Sequence, residues 1–162
     1  MMPETISIET RLADLLRERD KTIAVAETFT GGLVTDMITN MPGASRYFLG
    51  GIVVYSDRSK VKSLGVKEAT LRVNGPVSEQ TASEMAVGVR EHFGSDYGIA
   101  LTGLAGPGGA SFGKPIGLVF FSFTNGKVTM VDRKEFGGDR LNIKRAAASE
   151  MLRMALECII ED

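Results

Sequence analysis

The sequence has no tryptophan, one cysteine and one histidine among its 162 residues. With a single thiol, Cys158, no internal disulfide can form, so stability has to come from packing. With a single imidazole, a Ser-His-Asp triad would have to use His92. That residue sits at a helix end just before Gly94, where a surface or helix-dipole role is expected. One histidine and one cysteine also leave too few ligands for most zinc sites, and no metal is expected. No apolar run approaches the roughly 20 residues of a membrane span. The opening segment, MMPETISIETRLADLLRERD, carries acids and lacks the apolar stretch of a signal peptide, so a cytoplasmic chain is expected. Neither charge dominates. The 19 basic and 20 acidic side chains leave a formal net charge of −1, which excludes a strongly basic nucleic-acid binder.

What is present is an ordinary globular balance, 43% hydrophobic and 24% charged. A chain of this length reads as one domain, residues 1–162, burying about two-thirds of the surface it exposes unfolded. Residues 7–19 carry Ile8, Leu12, Leu15 and Leu16 at helical spacing. Residues 22–26 are an apolar run of strand length, and a helical repeat through Leu33, Val34, Met37, Ile38 and Met41 ends at Pro42-Gly43. A second buried strand is expected over 51–55, then a short helix capped by Ser56 or Asp57 and closed by Gly65. Another helical turn or two is expected at 67–74, and a helix from Ser78 to about His92. Strands are expected at 97–102, 116–123 and 128–136, the last two joined through Asn125-Gly126, a hairpin signal. Asp139 caps a final helix over about 140–160. Alternating strands and helices with a terminal hairpin predict a three-layer α/β/α sandwich around a mixed, mostly parallel sheet of about five strands.

In such sheets ligands bind beyond the carboxyl ends of the strands. Three polar or glycine-rich segments fall there, residues 27–32, 55–60 and 102–114. The third sits in a stretch where six of the 19 glycines crowd between positions 103 and 117. Its run Gly108-Gly109-Ala110-Ser111-Phe112-Gly113-Lys114 is a near-miss to a phosphate loop. Pro115 stands where the Mg²⁺-ligating hydroxyl belongs, and the following segment reads as strand. In Thr28-Phe29-Thr30-Gly31-Gly32 one hydroxyl can simply cap the helix, or it can serve as a nucleophile beside backbone N–H groups. Lys60 is either a solvated helix lysine or, if buried, a base with a lowered pKa.

Several segments in register give a resemblance. They are Ala26-Glu27-Thr28-Phe29-Thr30-Gly31-Gly32, Pro42-Gly43-Ala44-Ser45, Val54-Tyr55-Ser56-Asp57-Arg58-Ser59-Lys60, Gly65-Val66 and Gly75-Pro76-Val77-Ser78-Glu79. Thr102-Gly103-Leu104-Ala105-Gly106-Pro107-Gly108-Gly109, Lys114-Pro115-Ile116-Gly117 and Gly137-Gly138-Asp139-Arg140 complete the set. Through them the chain resembles the CinA C-terminal domain family, the nicotinamide mononucleotide deamidases. The resemblance implies an amidohydrolase that turns nicotinamide mononucleotide and water into nicotinate mononucleotide and ammonia, with no metal or other cofactor. It implies Thr28 as nucleophile, where the family has serine, and Lys60 as base, with Tyr55 and Ser45 relaying or orienting protons. Substrate contacts are then expected from Thr30, Gly31, Gly32, Thr102, Gly103, Gly106 and Lys114, with Arg140 or Arg145 meeting the phosphate. Backbone N–H groups near Gly31, Gly32 or Gly103 would hold the oxyanion. The expected partners are the small nucleotide and further copies of the chain, a dimer or higher homo-oligomer, with no nucleic acid and no membrane. Threonine at 28 adds a methyl that fixes χ1 and crowds an incoming carbonyl. The family resemblance is therefore compatible with a threonine enzyme or with a nucleotide-binding module of impaired chemistry; a weaker alternative is an interaction protein.

Overall fold

The computed structural model describes residues 6–110 and 113–162. Ser111 and Phe112 of the near-miss phosphate loop, and residues 1–5, lie outside the described residues. Five strands form one sheet, β1 (Ile23–Glu27), β2 (Phe48–Val53), β3 (Tyr97–Gly103), β4 (Leu118–Thr124) and β5 (Thr129–Glu135), in the order β2-β1-β3-β4-β5. β1 is parallel to both of its neighbours. β4 is antiparallel to both of its own, so it alone runs against the other strands.

The sheet is built on size alternation. Ile23 and Val25 of β1, and Ile99 and Leu101 of β3, face α1 (Ile8–Glu18), α2 (Leu33–Thr39) and α6 (Arg140–Glu161). Between them Ala24, Ala26 and Ala100 face α3 (Asp57–Leu64), α4 (Glu68–Asn74) and α5 (Glu79–Phe93). Side chains alternate across a strand, so one face is bulky and the other shallow. The shallow face lets α5 sit close to the backbone: a β-carbon on Gly98 of β3 would lie 2.3 Å from the Ala86 carbonyl. These are the three predicted layers. No helix of the described residues is long and apolar enough to cross a membrane.

The helix starts follow the expected chemistry. Ser7, Ser78 and Asp139 each accept a backbone N–H at their helix start. Ser56 and Ser59 cap α3 reciprocally, each side chain bonding the other's backbone N–H. At the hairpin, Asn125 Oδ1 accepts from the N–H groups of Lys127 and Val128, joining β4 to β5.

One element departs from expectation. The buried strand predicted at 51–55 is β2 at Phe48–Val53, an edge strand whose alternate residues are exposed. Its Leu49 and Val53 are open to solvent. The short apolar run reads the same whether two neighbours flank it or one, and only the assembled sheet decides which. The strand predicted at 116–123 begins at Leu118, because Gly117 still belongs to the turn, its N–H bonded to the Leu104 carbonyl.

Gly88 fixes how deeply α3 can seat. A β-carbon there would lie 2.0 Å from the Leu64 carbonyl at the end of α3. Gly88→Ala is expected to lower stability by about 1–3 kcal/mol through overpacking. Urea denaturation checks this, and an unchanged midpoint would mean that α3 can shift freely.

Candidate active site

Three loops meet beyond the carboxyl ends of β1, β2 and β3. They enclose a cleft of about 330 Å³, lined among others by Thr28, Tyr55, Asp57, Lys60, Thr102 and Arg140. The glycine-rich strand exit from Gly103 to Gly109 forms much of its wall. Gly103 has no room for a side chain, since a β-carbon would sit 2.8 Å from Phe29 Cε1 and from the Leu118 carbonyl oxygen.

Thr28 follows β1 directly and is 6% exposed. Its hydroxyl donates to the Leu101 carbonyl at 3.2 Å. The turn carrying it is pinned from below by Glu27, the last residue of β1, which is fully buried. Glu27 Oε1 accepts from the Thr30 hydroxyl at 2.7 Å and the Val34 N–H at 2.9 Å. Its Oε2 accepts from the Thr35 N–H at 2.9 Å and the Thr35 hydroxyl at 2.8 Å. A carboxylate from the strand thus caps the helix that follows it. This supplies the acceptor that Gly32, at the N-cap of α2, has no side chain to provide.

Lys60 is 4% exposed on α3, one helical turn before the buried Leu64. Its Nζ lies 3.5 Å from Asp57 Oδ1. Burial pushes the Lys60 ammonium pKa below its ordinary value, and the neighbouring Asp57 carboxylate pulls it part of the way back. Asp57, three residues before Lys60 on the same face of α3 and in the cleft, is a functional candidate that the sequence pattern does not single out. The i, i+4 spacing of Lys60 and Leu64 was the available signal that Lys60 faces inward.

Arg140 opens α6 and bridges two rims of the cleft. One Nη donates to the Gly106 carbonyl at 2.9 Å, the other to the Tyr55 hydroxyl at 2.9 Å. Tyr55 is 64% exposed, at the mouth. Thr102 lines the cleft with its hydroxyl committed to the Pro76 carbonyl at 2.7 Å.

Other expected site residues lie elsewhere. Ser45 is exposed in a 3₁₀ turn, Ala44–Arg46, just ahead of β2. β2 runs parallel to β1, so the residue before β2 and the residue after β1 sit at opposite ends of the sheet. Strand rise puts them about 15 Å apart or more, and within one copy of the chain Ser45 is far from Thr28. Lys114 is a brace. Its Nζ donates to the carbonyl of Asn74 at 2.8 Å and to that of Val77, tying the glycine-rich loop to the segment before α5. Burial lowers its pKa. Thr30, Gly31, Gly32 and Arg145 line a neighbouring hollow of about 420 Å³ on the other side of the Thr28 turn. The Gly31 N–H, expected near an oxyanion, is taken by the Thr28 carbonyl at 3.1 Å. Among the described residues no group of three or more His, Cys, Asp or Glu is placed to hold a metal ion.

The comparisons with known proteins agree on one family. The sequence profile of the CinA C-terminal domain matches residues 5–159. The chain belongs to this family. The CinA-like protein of Kosmotoga olearia is 48% identical over 143 residues, which cover 88% of this chain and 34% of that protein. The CinA-like protein of Chloroherpeton thalassium is 42% identical over 156 residues, 94% of this chain and 37% of that protein. The chain therefore spans about a third of the length of these curated relatives. Among solved structures, a CinA superfamily protein of Klebsiella pneumoniae superposes with a TM-score of 0.93 at 30% identity, covering 96% of this chain and 97% of that chain. The competence/damage inducible protein CihA of Agrobacterium tumefaciens gives a TM-score of 0.86 at 32% identity, covering 97% and 99%.

The Glu27 cap yields a prediction. Glu27→Gln replaces one acceptor oxygen by an N–H₂ that faces donors in a buried site. Stability is expected to fall by about 2 kcal/mol or more, and the Val34 and Thr35 amides should exchange faster with deuterated solvent. Unchanged protection at both amides would show that the turn does not depend on this carboxylate.

Proposed function

We propose that the chain is a metal-independent amidohydrolase acting on the carboxamide of nicotinamide mononucleotide. The observation that supports this reading most is a buried lysine with a lowered pKa in the same cleft as a strand-end hydroxyl. Elsewhere in a protein a buried lysine is a liability, whereas beside a hydroxyl nucleophile it is a base.

In this scheme neutral Lys60 takes the Thr28 hydroxyl proton and the Thr28 oxygen adds to the carboxamide carbon. Backbone N–H groups of Ala105 and Gly106, in the cleft wall, stabilise the oxyanion, a type of help commonly worth a few kcal/mol per donor. The C–N bond breaks, the Lys60 ammonium returns its proton to the departing nitrogen, and ammonia leaves. Water, deprotonated by the same lysine, then adds to the threonyl ester; the bond from the acyl carbon to the Thr28 oxygen breaks, the Lys60 ammonium returns the proton to that oxygen, and the acid leaves. Arg140 and Tyr55 hold the rim against the glycine-rich loop. The exposed Leu49 and Val53 along the free edge of β2 support the self-association that accompanies this reading.

A second reading, a nucleotide-binding module of impaired chemistry, is favoured by one contact. The Thr28 hydroxyl donates to the Leu101 carbonyl, a bond that has to break before Lys60 can receive the proton. The extra methyl of threonine also fixes χ1 and crowds an incoming carbonyl, as serine would not.

Ammonia release from nicotinamide mononucleotide tests both readings. Native turnover that falls by about 100-fold or more in Thr28→Ala and in Lys60→Ala supports the amidohydrolase. A silent native protein with an active Thr28→Ser variant supports the impaired module. Silence from all of them overturns the amidohydrolase reading.

The pH dependence follows from the sign of the Lys60 shift. The base form is the neutral amine, so kcat/KM is expected to rise with pH and level off below the pH at which an unperturbed lysine titrates. Asp57 raises the Lys60 pKa, so Asp57→Asn should move the rising limb to lower pH. A limb that stays in place, or moves upward, would remove Lys60 as the titrating group.

A further inference from the structure

Four consecutive backbone carbonyls where α4 gives way to α5 are held by side chains. The Asn74 and Val77 carbonyls accept from Lys114 Nζ. The Gly75 carbonyl accepts from the Ser78 hydroxyl at 3.0 Å and the Thr81 hydroxyl at 2.8 Å. The Pro76 carbonyl accepts from the Thr102 hydroxyl at 2.7 Å. A carbonyl withdrawn from water needs a donor, and here side chains supply it. Pro76 and Val77 line the reacting cleft, so these bonds fix one of its walls.

Ser78, Thr81 and Thr102 belong to the start of α5 and to β3. Lys114 comes from the returning arm of the glycine-rich loop, and it holds two of the four carbonyls. That arm is locked to the outgoing one. The Gly117 N–H donates to the Leu104 carbonyl at 2.6 Å, and the Leu104 N–H to the Leu118 carbonyl at 3.0 Å. Ile116 packs so closely on Gly106 that a β-carbon there would lie 2.7 Å from Ile116 Cγ2. The Gly106 carbonyl is held in turn by Arg140 at 2.9 Å. A displacement at Lys114 therefore reaches the Gly106 peptide through Ile116. Lys114 itself is half-buried and does not line the cleft. An ammonium carries three donors on a long stem, and this one bridges from the root of one wall to two carbonyls of the other.

The geometry points to Lys114 as a positioning residue that fixes the wall carrying the Ala105 and Gly106 N–H groups against the Pro76–Val77 wall. This rests on the amidohydrolase reading and adds how the oxyanion donors are kept in place. The resemblance implied a substrate contact for Lys114; in this role it acts through the backbone it holds. Oxyanion donors count for more in the transition state than in the substrate complex, so loss of the brace falls on kcat.

The test compares native protein with Lys114→Met, Lys114→Arg and Lys127→Met, an exposed hairpin control. With nicotinamide mononucleotide as probe, Lys114→Met is expected to lower kcat by about tenfold to 100-fold, with KM within about threefold. Lys114→Arg, which can still donate to two carbonyls, should recover most of the loss, and the rising pH limb of Lys60 should stay in place. Lys127→Met should match native protein. An unchanged kcat overturns the brace. A raised KM with kcat kept would make Lys114 a substrate contact and overturns it too. If the native protein shows no turnover, amide exchange decides alone. In Lys114→Met the Gly117 amide should then exchange about tenfold faster or more, while the β3–β4 ladder around Ala100 and Ser122 keeps its protection. Unchanged exchange at Gly117 overturns the proposal. A variant that unfolds, or exchanges faster throughout, marks general support of the fold and overturns it as well. Failure of turnover is thus read separately from failure of the brace.

Discussion

The arrangement of both cavities depends on one buried carboxylate. Glu27 ends strand β1, which lies between β2 and β3, and accepts four hydrogen bonds from the first turn of α2 and the residues before it. A charged group of this kind is tolerated without solvent because donors surround it. The strand and the helix are held at a fixed angle by those bonds, and the turn between them has little freedom left. Thr28 is thereby presented to one side and Gly31 and Gly32 to the other. The same contact that stabilises the fold therefore divides the surface into a reacting cleft and a neighbouring hollow.

Three positive charges near this turn already have protein partners. Lys60, Lys114 and Arg140 all answer to protein atoms, a carboxylate, two carbonyls, and a carbonyl with a phenol. They shape the cleft wall and set proton affinity within it. Lys60 is the member of this group most removed from solvent, and its burial on the inner side of α3 is what makes a lysine useful as a base. One turn further along α3, Leu64 sits against Gly88 of α5.

Much of this was legible in the sequence. The three strand-end segments converge because parallel strands deliver their carboxyl ends to one side, and alternating helices and strands imply parallel strands. Caps at Ser56, Ser78 and Asp139 are local chemistry, and local chemistry reads well. What did not read was set by distant partners. Lys114 lies 40 positions from the Asn74 carbonyl it holds, and a backbone acceptor leaves no mark in sequence. Ser45 was drawn toward the site by motif register, whereas the direction of β2 carries it to the far end of the sheet. The edge position of β2 depends on strand order, which local pattern does not encode.

The reversed strand β4 has a consequence for how the molecule can vary. Because β4 runs against β3, the chain leaves and re-enters the sheet at the same end, and the connection needs no crossover. The ladder from Gly98↔Thr124 to Gly103↔Val119 sets the register independently of that excursion. Doubling the length of a flexible loop costs only about 0.6 kcal/mol in closure entropy. The cleft's outer perimeter can thus be lengthened, shortened or replaced without moving a strand, which makes it the natural place to refit this scaffold to a longer or shorter ligand.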